Sequence, residues 1–310
     1  IGSELVPHLR SIYGNSNVVA ADISAEKCKA LAEAGPFEEL NALDGEGFSA
    51  IVKKYNIDTI FNLVALLSAT GEKNPKLAWD INIGALTNSL YIAKDNNCAV
   101  FTPSSIGAFG NDTPKDKTPQ DTLQRSNTTI YGVCKVTGEL LSDYYFNRFG
   151  VDTRSVRFPG LISYVTLPGG GTTDYAVEIY YDAIRKGSFT CNVKEGTYMD
   201  MMYMPDALNA VVQLMEADPS KLKHRNSFNI ASMSFEPEQI AAEIRKHLPD
   251  FKMDYQIDPV KQAIANSWPN SMDDTCAREE WGWAPKFDLT SMTNDMLIKV
   301  KEKFDKGLIK

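Results

Sequence analysis

Between residues 18 and 158 the chain repeats one arrangement, a short apolar run followed by a longer stretch with helical spacing. The apolar runs lie at 18–22, 37–41, 58–64, 98–103 and 153–158, and the intervening helical patterns at 24–34, 45–55, 75–94 and 126–149. Ile1, Leu5, Leu9 and Ile12 put a further helix ahead of the first run. Strands that are apolar throughout need cover on both faces, so strand and helix in turn predict an α/β fold with a doubly wound parallel sheet. Past residue 160 the texture changes. Helical patterns at 172–186, 205–217, 236–247 and 289–305, a methionine-rich run at 199–204 and short strands near Phe228 and Met253 predict a smaller mixed α/β region. We therefore expect one domain over 1–160 and a second over 161–310, some of whose segments return to the first. No linker separates them.

In open parallel sheets ligands gather at the carboxyl ends of the strands. Asp22, Asp44, residues 65–68, Ser104, Ser105, Pro159 and Gly160 all fall at such ends. Gly2 and Asp22 are separated by the interval that joins a glycine loop to a ribose-binding acid in dinucleotide-binding units. Each also has a plainer reading, a helix-start glycine and a turn or N-cap acid. The chain opens directly into a helix, which leads us to expect a first strand and further loop glycines ahead of residue 1.

The 126–149 helix carries Tyr131 and Lys135, four residues apart and hence on one face. A phenol is a poor base at neutral pH, and a neighbouring ammonium favours its ionised form. A hydroxyl from Ser104 or Ser105 would complete a set able to take the proton of an alcohol. A plain surface pair is the alternative. The run Leu167-Pro-Gly-Gly-Gly-Thr-Thr173 opens another helix, whose first amides are suited to an anion; a lid turn with a threonine N-cap reads equally well.

A net charge of −8 without a dense Lys/Arg run argues against nucleic acid as a partner. The most apolar stretch, 60–67, is short and holds Asn62, so no membrane span is expected. Five distant cysteines, without a CxxC pair, read as free thiols of a reducing compartment, and with three scattered histidines no metal centre is expected.

Asp22, the serines in TPSSIGAFG, Asn82 in WDINIGA and the YGVCK run resemble the extended short-chain dehydrogenase/reductase superfamily, in the branch that contains UDP-galactose epimerase. ALLSATGEKNPKLAWDIN, TTIYGVCK, RFPGLIS, PGGGTTDYAVEIYYDAI and DDTCAREEWGW are similar to the short-chain type of NAD-dependent L-threonine 3-dehydrogenases. The resemblance implies a Rossmann-type domain, NAD as cofactor, and oxidation of L-threonine to 2-amino-3-oxobutanoate. A nucleotide-sugar epimerase or dehydratase is the alternative.

Carried across, Tyr131 would be the base, Lys135 its activator, Ser105 the holder of the substrate hydroxyl with Ser104 in reserve, and Asn82 a support for the lysine. Gly2 would lie under the pyrophosphate, Asp22 on the adenosine ribose, Asp44 with Ala42 or Leu43 near adenine, Ala65 and Leu66 along the cofactor, and Pro159 with Leu161 around the nicotinamide. Ser68, Thr172 and Thr173 would contact the amino acid, and Trp268 would close the pocket. A homodimer through helices 75–94 and 126–149, packed as a four-helix bundle, is implied too. So is an intracellular enzyme, mitochondrial in a eukaryote and otherwise cytoplasmic. Without the expected upstream strand and loop, the sequence as it stands should not bind NAD normally.

Overall fold

The computed structural model describes residues 1–122, 126 and 128–309. Helix α1 (Gly2–Tyr13) leads into β1 (Ala20–Asp22), α2 (Lys29–Ala34), β2 (Phe37–Glu39), α3 (Gly45–Lys54) and β3 (Thr59–Phe61). A short α4 (Ser68–Gly71) precedes the long α5 (Pro75–Asn96), which Asn74 caps by accepting from the Leu77 amide and Pro75 opens at a position where no amide is needed. Strands β4 (Ala99–Phe101) and β5 (Ser104–Ser105) follow, then α6 (Ile130–Phe149), β6 (Thr153–Arg154), β7 (Val156–Phe158) and β8 (Gly160–Ile162). The remainder is α7 (Tyr175–Lys186), β9 (Ser188–Cys191), β10 (Met199–Tyr203), α8 (Met204–Glu216), β11 (Phe228–Asn229), β12 (Met233–Phe235), α9 (Pro237–His247), β13 (Lys252–Tyr255), α10 (Pro259–Ser267), α11 (Thr275–Trp281) and α12 (Leu289–Asp305).

The fold is α/β with parallel sheets, as the strand and helix alternation requires. Strand β3 pairs with β4 and β4 with β6; β5 pairs with β7 and β7 with β11, all in parallel. An amide bond from Thr102 to the Arg154 carbonyl bridges the two ladders, so β4–β5 and β6–β7 are two interrupted strands of one sheet. Strands β1 and β2 form their own parallel pair. Strand β11 brings residues beyond 160 back to the first sheet.

Three clusters make the core. Leu86, Leu90, Val100 and Tyr145 pack where α5 and α6 cover the sheet, whereas Leu5, Leu9, Phe101, Val156 and Phe158 pack with α8. The third holds Tyr175, Tyr180, Phe235, Ile240 and Met296 in the C-terminal half. Met201 belongs to this cluster and Met202 to the second, as alternation along β10 demands. That strand therefore joins the two halves, each buried side chain of this size contributing about 1.5–3 kcal/mol. Among the described residues no helix is long and apolar enough to cross a membrane.

Several expected elements are shorter than their patterns. The helix expected over 24–34 is regular only from Lys29, because the Asp22 carboxylate and the Ser24 hydroxyl accept from the Ser24 and Lys27 amides and hold a turn. The helix expected from 126 begins at Ile130, where the Thr129 hydroxyl caps the Gly132 amide at 3.0 Å; residue 127 of that range lies outside the described residues. The helix expected from Thr172 begins at Tyr175. Its N-cap position is Asp174, whose carboxylate makes no cap bond and instead accepts from the amides of Gly170 and Gly171 in the preceding turn, at 2.9 and 2.7 Å. Those two turn amides are thus already satisfied within the chain.

Candidate active site

Tyr131 and Lys135 lie on consecutive turns of α6, both half-buried, with the Lys135 Nζ 5.3 Å from the tyrosine ring centroid. Lys135 Nζ donates to the Pro103 carbonyl at 2.6 Å, which anchors the ammonium to the bend between β4 and β5. Ser105 ends β5, and its Oγ accepts from the Gly107 amide at 3.1 Å. A methyl built on Gly107 would lie 3.2 Å from Tyr131 Cε1 and 3.4 Å from Ser105 Oγ. The serine hydroxyl and the tyrosine ring therefore flank that glycine, with the ammonium beside the ring.

Gly132 makes this approach possible. A Cβ there would lie 2.4 Å from the Gly107 carbonyl oxygen and 1.9 Å from Ser126 Oγ, so only glycine lets α6 press against the Ser105 turn. Asn82, buried on α5, accepts from the Leu66 amide at 2.7 Å and donates to the Leu66 carbonyl at 3.2 Å. This fixes the segment after β3, which contains Ala65 and Leu66. Asn82, Ser104, Lys135 and Glu139 line a cavity of about 30 Å³, enough for about one water.

Ser104 turns the other way. Its hydroxyl meets the Glu139 carboxylate, which Arg157 grips through Nε and Nη2 at 3.0 and 2.9 Å. Both charged groups are buried. Burial pushes the Glu139 carboxyl up, against the pull of the Arg157 guanidinium and the Ser104 hydroxyl. Arg157 also donates to the Gln120 carbonyl and to Asn229, and lies over the Phe109 ring. The two serines read as alternatives are therefore separated by the strand pleat: Ser105 joins Tyr131, and Ser104 is spent on the core.

The other residues spread along the strand ends. Gly2 opens α1, which has no side-chain cap, and lies near Leu63 after β3. Asp22, exposed at the end of β1, accepts only from the nearby Ser24 amide among the described hydrogen bonds. Asp44 caps α3, Leu43 is exposed against Gly84 of α5, and Asn88 holds the Ala42 carbonyl. Pro159 and Leu161 bracket the start of β8. Ser68 is buried at the start of α4, and Gly170 brings the glycine turn against Thr70 of the same helix. Thr172 is buried with its hydroxyl unpartnered, and Thr173 packs on Gly160. Trp268 is buried with the cluster of Tyr175 and Met201, and its carbonyl accepts from Lys115.

Sequence reading passed over Glu139, Arg157, Gly107, Gly132 and Asp174. Two of them left a trace: an arginine inside the apolar run SVRFPG demands a partner, and Glu139 stands one helical turn beyond Lys135.

The profile of the NAD dependent epimerase/dehydratase family matches residues 1–231. The L-threonine dehydrogenase of Clostridium difficile, known from its X-ray structure, is 56% identical, with a TM-score of 0.95 over 97% of this chain and 94% of that one. A GalE-like L-threonine dehydrogenase from Cupriavidus necator, in a holo form, is 46% identical, with a TM-score of 0.93 over 97% and 96% of the two chains. An uncharacterized epimerase/dehydratase of Staphylococcus haemolyticus is 58% identical over 98% of this chain and 95% of its own length.

Proposed function

Because the chain belongs to the NAD dependent epimerase/dehydratase family, we propose that it oxidises L-threonine to L-2-amino-3-oxobutanoate, with NAD⁺ as the cofactor. The observation that carries this reading is the juxtaposition of Ser105 Oγ and Tyr131 across Gly107, with the Lys135 ammonium beside the ring. The names of the 56% and 46% identical neighbours support the substrate.

The donor set suits NAD. The uncapped start of α1 offers amides to a diphosphate, and Asp22 offers a carboxylate to ribose hydroxyls while repelling a 2′-phosphate. Leu43, Ala65, Leu66, Pro159 and Leu161 are the further contacts we assign to it. NAD⁺ supplies a hydride acceptor at the carbon that loses its hydrogen.

The chain's own groups then do the rest. Ser105 Oγ holds the substrate's β-hydroxyl, and Tyr131 takes that hydroxyl's proton as the C–O bond becomes a carbonyl. Lys135, fixed on the Pro103 carbonyl, holds its ammonium beside the ring that accepts this proton. Asn82 keeps the adjoining backbone rigid through Leu66. For the α-carboxylate and α-ammonium we assign Ser68, Thr172 and Thr173, since the glycine amides are taken by Asp174 and the Thr172 hydroxyl has no partner. Trp268 backs this region from the core.

Incubating the full-length protein with NAD⁺ and L-threonine should produce NADH. No NADH with threonine, together with turnover of UDP-galactose, would replace this reading by the epimerase one. Tyr131→Phe should lower kcat by about 10²–10⁴-fold while NAD⁺ affinity is retained; equal turnover would place the base elsewhere.

A further inference from the structure

Beside the second core cluster, the loop before β11 meets α11. One ring nitrogen of His224, the Cys276 sulfur and a carboxylate oxygen of Glu280 all lie within 4.8 Å of one another, and each residue is partly buried. Cys276 and Glu280 are four apart on α11 and so share a face. The Asp121 carboxylate approaches from a third segment, 3.5 Å from His224 Nε2. Thiolate, imidazole and carboxylate are the donors that zinc takes.

The cluster is also held in place. Glu280 Oε2 accepts from the backbone amides of Lys223 and His224 at 2.5 and 3.2 Å, while its other oxygen meets His224 Nδ1. Oriented ligands of this kind are what a second layer of hydrogen bonds provides in metal sites. A histidine and glutamate alone would pair without the sulfur; here the sulfur lies within 4.8 Å of both donor atoms.

We propose that His224, Cys276 and Glu280 bind one divalent transition-metal cation, with Zn²⁺ the best match to the donors and a water as its fourth ligand. Donors on a tetrahedral zinc sit roughly 3.3–3.8 Å apart, given bonds of about 2.0–2.3 Å, so closing the cluster needs side-chain shifts of about 1 Å. Binding would release the thiol proton to solvent and form the metal–sulfur bond in its place. It would also tie the loop before β11 to α11, two pieces that no sequence motif links. His224 and Glu280 are 56 residues apart.

The test is a Co²⁺ and Zn²⁺ titration of the chelator-treated protein. One equivalent of Co²⁺ should produce a thiolate-to-metal charge-transfer band, and Zn²⁺ should abolish it. Cys276→Ser should lose the band, and His224→Gln should weaken Zn²⁺ binding at least tenfold. Cys28→Ser should leave both unchanged. If Cys276→Ser does not fold, the weaker Zn²⁺ binding of His224→Gln decides. No saturable uptake by the unaltered protein, or a band that survives Cys276→Ser, overturns the proposal. Loss of the band in Cys28→Ser does so as well.

Discussion

Successive residues of a strand face opposite ways, and β5 uses this to give Ser104 and Ser105 different work. Ser105 is beside Tyr131, so Ser105→Ala should lower kcat/KM for threonine by about 10²-fold, as loss of one preorganised donor does, besides the stability lost with its cap on the Gly107 amide, about 0.5–2 kcal/mol. Ser104→Ala should differ in its kinetics. It deprives a buried carboxylate of a donor, which costs about 1–3 kcal/mol of stability, while kcat stays within a few-fold. Steady-state kinetics on the two variants separate the roles, and a reversed pattern would mean Ser104 holds the substrate. Gly132→Ala tests the same corner. Its Cβ would fall 2.4 Å from the Gly107 carbonyl, so α6 must back away from the serine turn. Activity should drop at least tenfold and stability by about 1–3 kcal/mol.

At the scale of elements, β10 carries a group whose ionisation the fold opposes. Asp200 is buried, accepts from the Met272 amide at 2.9 Å, and has one oxygen without a partner. Burial raises its carboxyl to about 8. Between about pH 4 and that value the folded chain keeps a proton that the unfolded chain, with an ordinary aspartate near 3.9, has already lost. The native state binds more protons there, so this group's contribution to stability falls as pH rises across the window. Asp200→Asn removes the penalty. The stability of Asp200→Asn relative to the unaltered protein should therefore increase between pH 4 and pH 8 by a few kcal/mol, read from denaturant midpoints; a constant difference would mean Asp200 is ionised throughout.

Whether such features can be read from sequence depends on how local their cause is. The strand and helix order, and Tyr131 with Lys135, are legible because periodicity and a four-residue spacing carry them. The pair of Glu139 with Arg157 joins α6 to β7, and the Asp200 contact with Met272 spans 72 residues. Neither leaves a local pattern. Helix α7 starts later than its pattern for a subtler reason: Asp174 turns its carboxylate back to Gly170 and Gly171 rather than into the helix, a contact that no spacing announces.

At the scale of the whole molecule, α6 is built inside out. Toward the sheet it presents Gly132, Cys134, Glu139 and Ser142, small or polar, with Tyr145 as the one large side chain. Its outer face holds Leu140 and Tyr144, 62% and 53% exposed, and Phe149 at its end, while Tyr91 of the neighbouring α5 is 54% exposed. Tyr91 meets the buried Tyr145 edge to face across the two helices at 5.9 Å, and within α6 Tyr144 meets Phe149 edge to face at 5.7 Å. A rigid, contiguous apolar surface of this kind is the mark of an interface, and covering each large side chain gains about 1.5–3 kcal/mol. We propose that a second copy of the chain covers it, with α5 and α6 of both copies forming a four-helix bundle. Light scattering should then give about twice the 34.4 kDa of one chain, and Leu140→Glu with Tyr144→Glu should halve that mass. Neither position touches Ser105 or the Pro103 carbonyl that holds Lys135, so a monomer so made should still reduce NAD⁺ if the bundle serves assembly alone. A mass of one chain for the unaltered protein would leave the outward face of α6 without a second copy to cover it and would overturn the dimer.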